Sequence, residues 1–155
     1  MAIIYALQGA GNKGKSTTLL TLCNKLESKN GKPLTPIEYT SRNKVKDNNI
    51  ILTDIKENAN NTLKKVGITS HGDEPDRIIE ALRDFSSNNC DIMFCACHLS
   101  GSTVDAVNSF SNGNIIIFIQ QVIQNNTYNV PNANNTMQNN CNDCMACHLL
   151  NRAGL

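Results

Sequence analysis

Gly9-Ala10-Gly11-Asn12-Lys13-Gly14-Lys15-Ser16 follows directly on the apolar run Ile3-Ile4-Tyr5-Ala6-Leu7, and the reading of the whole chain turns on that junction. The spacing is G-x-x-x-x-G-K-[ST]. A polyphosphate has to be approached closely, so glycines leave backbone N–H groups free to curl around it, while a lysine adds a point charge and a hydroxyl serves Mg²⁺. The pattern has this meaning only when a strand enters it and a helix leaves it. Behind Ser16, the residues Leu19, Leu20, Leu22, Cys23 and Leu26 recur at helical spacing, and Asn30-Gly31 with Pro33 beyond supplies a stop. This predicts a helix over residues 15–29 whose free N–H groups and positive dipole end face the loop.

On these residues the chain resembles the P-loop NTPase superfamily, most specifically over residues 1–30. The resemblance implies a three-layer α/β fold with a mostly parallel sheet, Mg²⁺ with ATP or GTP as ligand, and an acidic residue at the end of a neighbouring strand. By motif match, Gly9, Ala10, Gly11, Asn12, Lys13, Gly14, Lys15, Ser16 and Thr17 cradle the phosphates, with Lys15 as the phosphate cation and Ser16 as the metal ligand. Ala10 occupies the position where the ParA/MinD branch carries its signature lysine, so the chain is not assigned to that branch.

Composition narrows the remaining classes. A length of 155 residues favours one domain over 1–155. The motif begins too early to leave room for a leader, and no apolar run approaches the roughly 20 residues that cross a bilayer, so a soluble cytoplasmic protein is expected. A net charge of +1 and 5% aromatic residues offer neither the basic footprint nor the stacking platform of a nucleic-acid binder.

Four of the seven cysteines, Cys23, Cys90, Cys95 and Cys97, fall in or beside core elements, where a thiol acts as a small apolar group. The other three lie in Cys141-Asn142-Asp143-Cys144-Met145-Ala146-Cys147-His148. Steps of three place them on one side of a C-terminal helix, facing the sheet with Leu150. A zinc or iron–sulfur site on Cys141, Cys144, Cys147 and His148 is the alternative, and CxxCH haem attachment is a remote third reading because it requires export.

Downstream, residues 32–49 form a polar segment containing Arg42, either a ligand-facing switch or acceptor segment or a plain surface loop. Asn43-Lys44-Val45-Lys46-Asp47 has one residue too many for the guanine-reading NKxD and lies too early in the chain. Ile50 to Ile55 and Leu63 to Ser70, separated by Glu57-Asn58-Ala59-Asn60-Asn61, read as a hairpin. Its second arm leads into Ser70-His71-Gly72-Asp73-Glu74-Pro75. In a parallel α/β sheet ligands gather at the carboxyl ends of strands, which puts Asp73 near the phosphates as a catalytic or Mg²⁺-orienting group, with His71 or Glu74 assisting proton transfer. Equally, Asp73 can cap the helix that Pro75 begins and that Ile78, Ile79, Leu82 and Phe85 bury. Asp54 is the second acidic candidate. Ile92 to Cys97 is a further strand, leaving through His98-Leu99-Ser100-Gly101-Ser102-Thr103. Ser102 with Asp105 reads as a helix cap, and His98, Ser100 and Ser102 can face a second substrate or the terminal phosphate. Asn114 to Ile119 is the last strand, residues 124–140 an Asn-rich loop, and 141–155 a terminal helix.

The expected architecture is therefore a P-loop-like α/β fold of about five mostly parallel strands with an antiparallel edge strand. The expected function is Mg²⁺-dependent nucleoside triphosphate binding and hydrolysis, its state read by a protein partner. A kinase passing the γ-phosphate to a small acceptor and a non-hydrolysing nucleotide sensor are the alternatives. The arginines Arg42, Arg77, Arg83 and Arg152 are not clustered in sequence, which favours hydrolysis over a kinase.

Overall fold

In the computed structural model, which describes residues 1–11, 14–29, 31–33, 49–121 and 133–155, the strands are β1 (Ile3–Gln8), β2 (Lys32–Pro33), β3 (Ile50–Lys56), β4 (Leu63–Ile68), β5 (Ile92–Cys97) and β6 (Ile115–Gln120). The helices are α1 (Lys15–Ser28), α2 (Pro75–Ser87), α3 (Ser102–Asn108) and α4 (Ala133–Ala153). Asn12, Lys13, most of the polar segment with Arg42 and the NKxD-like residues, and the front of the Asn-rich tract lie outside the described residues.

The strands form one sheet in the order β2-β3-β4-β5-β1-β6. β4, β5, β1 and β6 are parallel, while β3 runs antiparallel to β4 and β2 antiparallel to β3. The hairpin and its antiparallel arm are as expected, but the sheet has six strands: the two-residue β2 pairs along β3 and takes the edge from it. Two residues with no periodicity give no strand signal in a sequence.

Alternation along the central strands supplies both faces. Tyr5 and Leu7 of β1 with Phe94 and Ala96 of β5 join a core against Leu19, Leu22 and Leu26 of α1 and Met145, Leu149 and Leu150 of α4. Ile4 and Ala6 with Met93 and Cys95 point the other way, onto Ile78, Leu82 and Phe85 of α2 and Val107 of α3. Burying such a side chain fully is worth about 1.5–3 kcal/mol, so these two stripes carry the layered arrangement of helix, sheet and helix.

The α4 helix differs from expectation twice. It begins at Ala133, inside the Asn-rich tract, and its buried side is Asn142, Met145, Ala146, Leu149, Leu150 and Ala153. Cys144 and His148 are exposed and Cys141 and Cys147 half-buried, so the cysteine run does not face the sheet. At 100° per residue, successive steps of three fall back 60° each around the helix, whereas mixed steps of three and four hold one stripe. Asp143 beside them takes Lys25 of α1 at 2.8 Å. Among the described residues no three His, Cys, Asp or Glu side chains are grouped to hold a metal ion, and no helix is long and apolar enough to cross a membrane.

What this fold does for a site is set by register. Gln8, Cys97 and Gln120 lie level with one another, and Ile68 pairs with Phe94, so the loops after β1, β4, β5 and β6 open on the same end of the sheet. The chain leaves β1 through α1 on one face and returns through α2 and α3 on the other. The carboxyl end of β1 is therefore a topological switch point, where connections diverge and leave a crevice.

Candidate functional site

Gly9 leaves β1 with its N–H on the Cys97 carbonyl at 3.2 Å, and Gln121 closes over it so tightly that a Cβ at position 9 would stand 3.3 Å from the Gln121 Cβ. At the other end of the loop Gly14 is left-handed, φ 83° and ψ 4°, a conformation that a Cβ disfavours, and it caps α1 with no side-chain hydrogen bond. Thr18 is the first residue whose N–H reaches back along the helix, to the Gly14 carbonyl at 2.8 Å. The N–H groups of the turn before it are directed out of the helix end, toward the loop.

Lys15 does not extend into solvent. Its Nζ donates to the carbonyls of Gly9 and Ala10, both at 2.8 Å, and the residue is 6% exposed. Burial holds its pKa below the ordinary lysine value, with the nearby Asp73 carboxylate pulling it part of the way back. An ammonium is thus held inside the loop by two neutral carbonyls.

Beside this loop lies a cavity of about 440 Å³. It is lined by Ser16 in the first turn of α1, by Ser70, His71, Gly72, Asp73 and Glu74 of the β4–α2 connection, and by Arg77 of α2. The connection is shaped by main-chain bonds. Thr69 N–H extends the β4–β5 ladder to the Phe94 carbonyl at 2.9 Å, and Gly72 N–H turns back to the Ser70 carbonyl at 2.7 Å. Gly72 is pressed on β5, where a Cβ would stand 2.7 Å from the Ala96 Cβ. Asp73, next in the chain, is exposed.

Asp73 Oδ1 meets His98 Nε2 at 3.2 Å, and His98 is steadied by its own N–H on the buried Thr103 hydroxyl at 3.0 Å. Asp73 is not the helix cap: Glu74 is, in extended conformation and without a side-chain bond, and Pro75 holds the first helical position. The Ser102–Asp105 cap also fails to form, since Gly101 precedes α3 and its carbonyl takes the N–H groups of Val104 and Asp105. Arg77 Nε lies 3.8 Å from Glu74 Oε2 and its Nη1 3.9 Å from Glu80 Oε2.

Under the loop three polar side chains are buried together. Thr18 Oγ1 is 3.1 Å from Gln121 Oε1 and 3.3 Å from Asn142 Oδ1, and Gln121 Nε2 donates to Asn142 Oδ1 at 3.2 Å. They join the first turns of α1, the end of β6 and α4 behind Gly9, and a satisfied buried network of this kind stiffens what it touches.

The fold therefore brings Ser16, His71, Asp73 and Glu74 to one cavity beside Lys15. Ser16 and Thr17 are exposed at the helix start, and Gly9, Ala10, Gly11 and Gly14 frame the loop; Asn12 and Lys13 fall outside the described residues. Asp54 is separated from the cavity by the length of the sheet: β3 is antiparallel, Asp54 sits in its irregular stretch near the start of β4, with φ 62°, and it pairs with Lys32 at 3.4 Å. Ser100 and Ser102 are exposed, and neither is on the cavity wall. Sequence reasoning missed Arg77 and Gln121. Pro75 at the first helical position puts Arg77 in the turn that adjoins the loop, a signal that was present; Gln121 has none, because only the β1–β6 pairing carries it to Gly9.

The chain matches no protein-family model, and neither a curated protein nor a solved structure matches it.

Proposed function

We propose that this protein is a P-loop NTPase that binds a nucleoside triphosphate, ATP or GTP, with Mg²⁺ at the Gly9–Thr17 loop and hydrolyses it. The observation that carries the reading is that Ser16, at the start of α1, and Asp73, beyond the end of β4, share one cavity next to the loop that holds the Lys15 ammonium. The residues fit the ligand. Bare amides around a left-handed Gly14 suit phosphate oxygens, and a hydroxyl with one carboxylate is the usual protein contribution to Mg²⁺, which takes its other ligands from phosphates and water.

In this reading Lys15 leaves the Gly9 and Ala10 carbonyls for the phosphates, and the amides of the α1 start orient them. When bound, Mg²⁺ neutralises charge on the terminal phosphates. Ser16 and Asp73 would hold it, and Asp73, 3.2 Å from His98 Nε2, would also stand where it could orient the attacking water. Titration calorimetry with ATP, GTP and their diphosphates, with and without Mg²⁺, tests the reading together with phosphate release; absence of Mg²⁺-dependent binding refutes it.

The cavity volume favours one second reading. About 440 Å³ lies within the roughly 300–1,000 Å³ of small-molecule sites, more than a lytic water needs. A kinase with a small acceptor in that space would consume nucleotide only when the acceptor is added.

A further inference from the structure

An asparagine is lost from a chain when the main-chain nitrogen of the next residue reaches its side-chain amide carbon. The reaction asks for a nitrogen free of hydrogen bonds, no side chain in the way, and room for the backbone to turn. Glycine removes the side chain at every Asn-Gly pair, and the chain has two, Asn30-Gly31 and Asn112-Gly113. The fold treats them differently.

Asn112 and Gly113 are both exposed in the turn between α3 and β6. Gly113 is left-handed, φ 87°, and a Cβ there would meet nothing within 4 Å. Among the described residues neither the Gly113 N–H nor the Asn112 side chain takes part in a hydrogen bond. The turn hangs between fixed ends: Ser111 N–H reaches the Asn108 carbonyl at 3.0 Å, and the Asn114 side chain accepts the Ala2 N–H and donates to the Phe110 carbonyl, each at 3.0 Å. At the other pair the Gly31 N–H is committed to the Leu26 carbonyl at 3.0 Å, and a Cβ on Gly31 would press on Ile55 Cδ1, so the main chain there is tied and hemmed in. Asn30 itself lies outside the described residues.

We propose that Asn112 is a site of spontaneous covalent modification in the folded protein, converted by water, through a cyclic imide with Gly113, to isoaspartate and aspartate. The Gly113 nitrogen gives its proton to solvent and bonds to Asn112 Cγ; the bond from Cγ to Nδ2 breaks, and Nδ2 takes up a solvent proton and leaves as ammonia. Water then opens the imide, its hydroxyl going to a carbonyl carbon and its other proton to the Gly113 nitrogen. Opening at Cγ leaves aspartate, whereas opening at the Asn112 main-chain carbonyl leaves isoaspartate, with the chain rerouted through Cβ and Cγ. Both products add a carboxylate to the surface. Only isoaspartate lengthens the main chain, by one methylene, just before the Asn114 clamp on Ala2 and Phe110. Ile115 is level with Ile3, and Gly9 follows the other end of β1, so this site lies at the opposite edge of the sheet from the loop and its cavity and stands apart from the nucleotide reading.

The test incubates the folded wild-type protein at mildly alkaline pH and follows it by mass spectrometry of chymotryptic peptides, since cleavage after Phe110 and Phe118 separates Asn112 from Asn30. The expected result is the mass gain of an amide-to-acid exchange at Asn112, in a peptide that resolves into two chromatographic peaks. Its rate should exceed that at Asn30 by at least about fivefold, because the Gly31 N–H is freed only when the end of α1 opens. In denaturant nothing holds Gly31, and the two rates should converge to within about threefold. Asn112→Ser should abolish the gain. The isoaspartyl fraction should melt about 2–4 °C below fresh protein, while Asn112→Asp, which carries the charge on a normal backbone, should melt with it. The assignment is overturned if Asn112 stays intact in the folded protein over a period in which it converts in denaturant, if Asn30 converts as fast as Asn112 without denaturant, or if the mass gain persists in Asn112→Ser. An isoaspartyl fraction that melts with Asn112→Asp overturns the loosening of the Asn114 clamp.

Discussion

Lys15→Ala is the sharpest probe of the loop, because the structure separates its effect on folding from its effect on binding. Without ligand, the substitution removes two 2.8 Å bonds, one to the exposed Ala10 carbonyl, where water can replace the ammonium, and one to the buried Gly9. An orphaned buried carbonyl costs about 1–3 kcal/mol, and the relief of no longer burying a charge offsets part of it. A chain of this size loses about 2–4 °C of Tm per kcal/mol, so the drop should be a few degrees. With ligand, two unit charges 4 Å apart attract by about 4 kcal/mol at an effective dielectric of 20. Loosening the bonds to Gly9 and Ala10 takes back a share, leaving about 2–4 kcal/mol, or about 30- to 1,000-fold in affinity. Calorimetric titration with Mg²⁺-triphosphate alongside a thermal melt reads both. A variant that binds within threefold of wild type, or one that loses binding only because it no longer folds, refutes the reasoning.

Other outcomes follow from the same geometry. Because burial lowers the Lys15 pKa and only its ammonium form attracts phosphate, nucleotide affinity should begin to fall as pH rises through that lowered value, before the 10.5 of a free lysine; affinity flat up to that point contradicts the burial argument. Asp73→Asn should raise the Mg²⁺ concentration needed for half-maximal turnover with little change in Tm, since Asp73 is exposed and does not cap α2; a change in melting alone would remove it from the site. Gly67→Ala drives a Cβ into the Phe85 ring of the α2 core, so a melt should show a loss of about 1–3 kcal/mol with nucleotide binding retained. Thiol titration should find Cys144 reacting readily in the folded protein, while Cys23, Cys90, Cys95 and Cys97 react only in denaturant, as burial also pushes Cys90 to about 12 and Cys97 to about 11.

The parts of this protein that sequence alone determined are those in which local chemistry acts on neighbours in the chain. Apolar alternation and 3.6-residue stripes marked β1, the β3–β4 hairpin, β5, β6 and the buried sides of α1 and α2, because burial on one face imposes its period on the residues that supply it. The start of α1 was legible for the same reason: the left-handed Gly14 and the helix that it caps follow from the residues next to it in the chain. Tertiary structure alone decided what those residues meet. Parallel pairing over the distance from β1 to β5 and β6 brought the β4–α2 loop with Asp73 and Arg77 to the cavity that Ser16 lines, sent Asp54 to the other end of the sheet by reversing β3, and set Gln121 on Gly9. Whether Cys141, Cys144 and Cys147 or Met145 and Leu149 faced the sheet was likewise settled by packing: Met145, Ala146, Leu149 and Leu150 fill the core beside α1 while Cys144 is exposed, since a helix buries the side that best fills the space its neighbours leave.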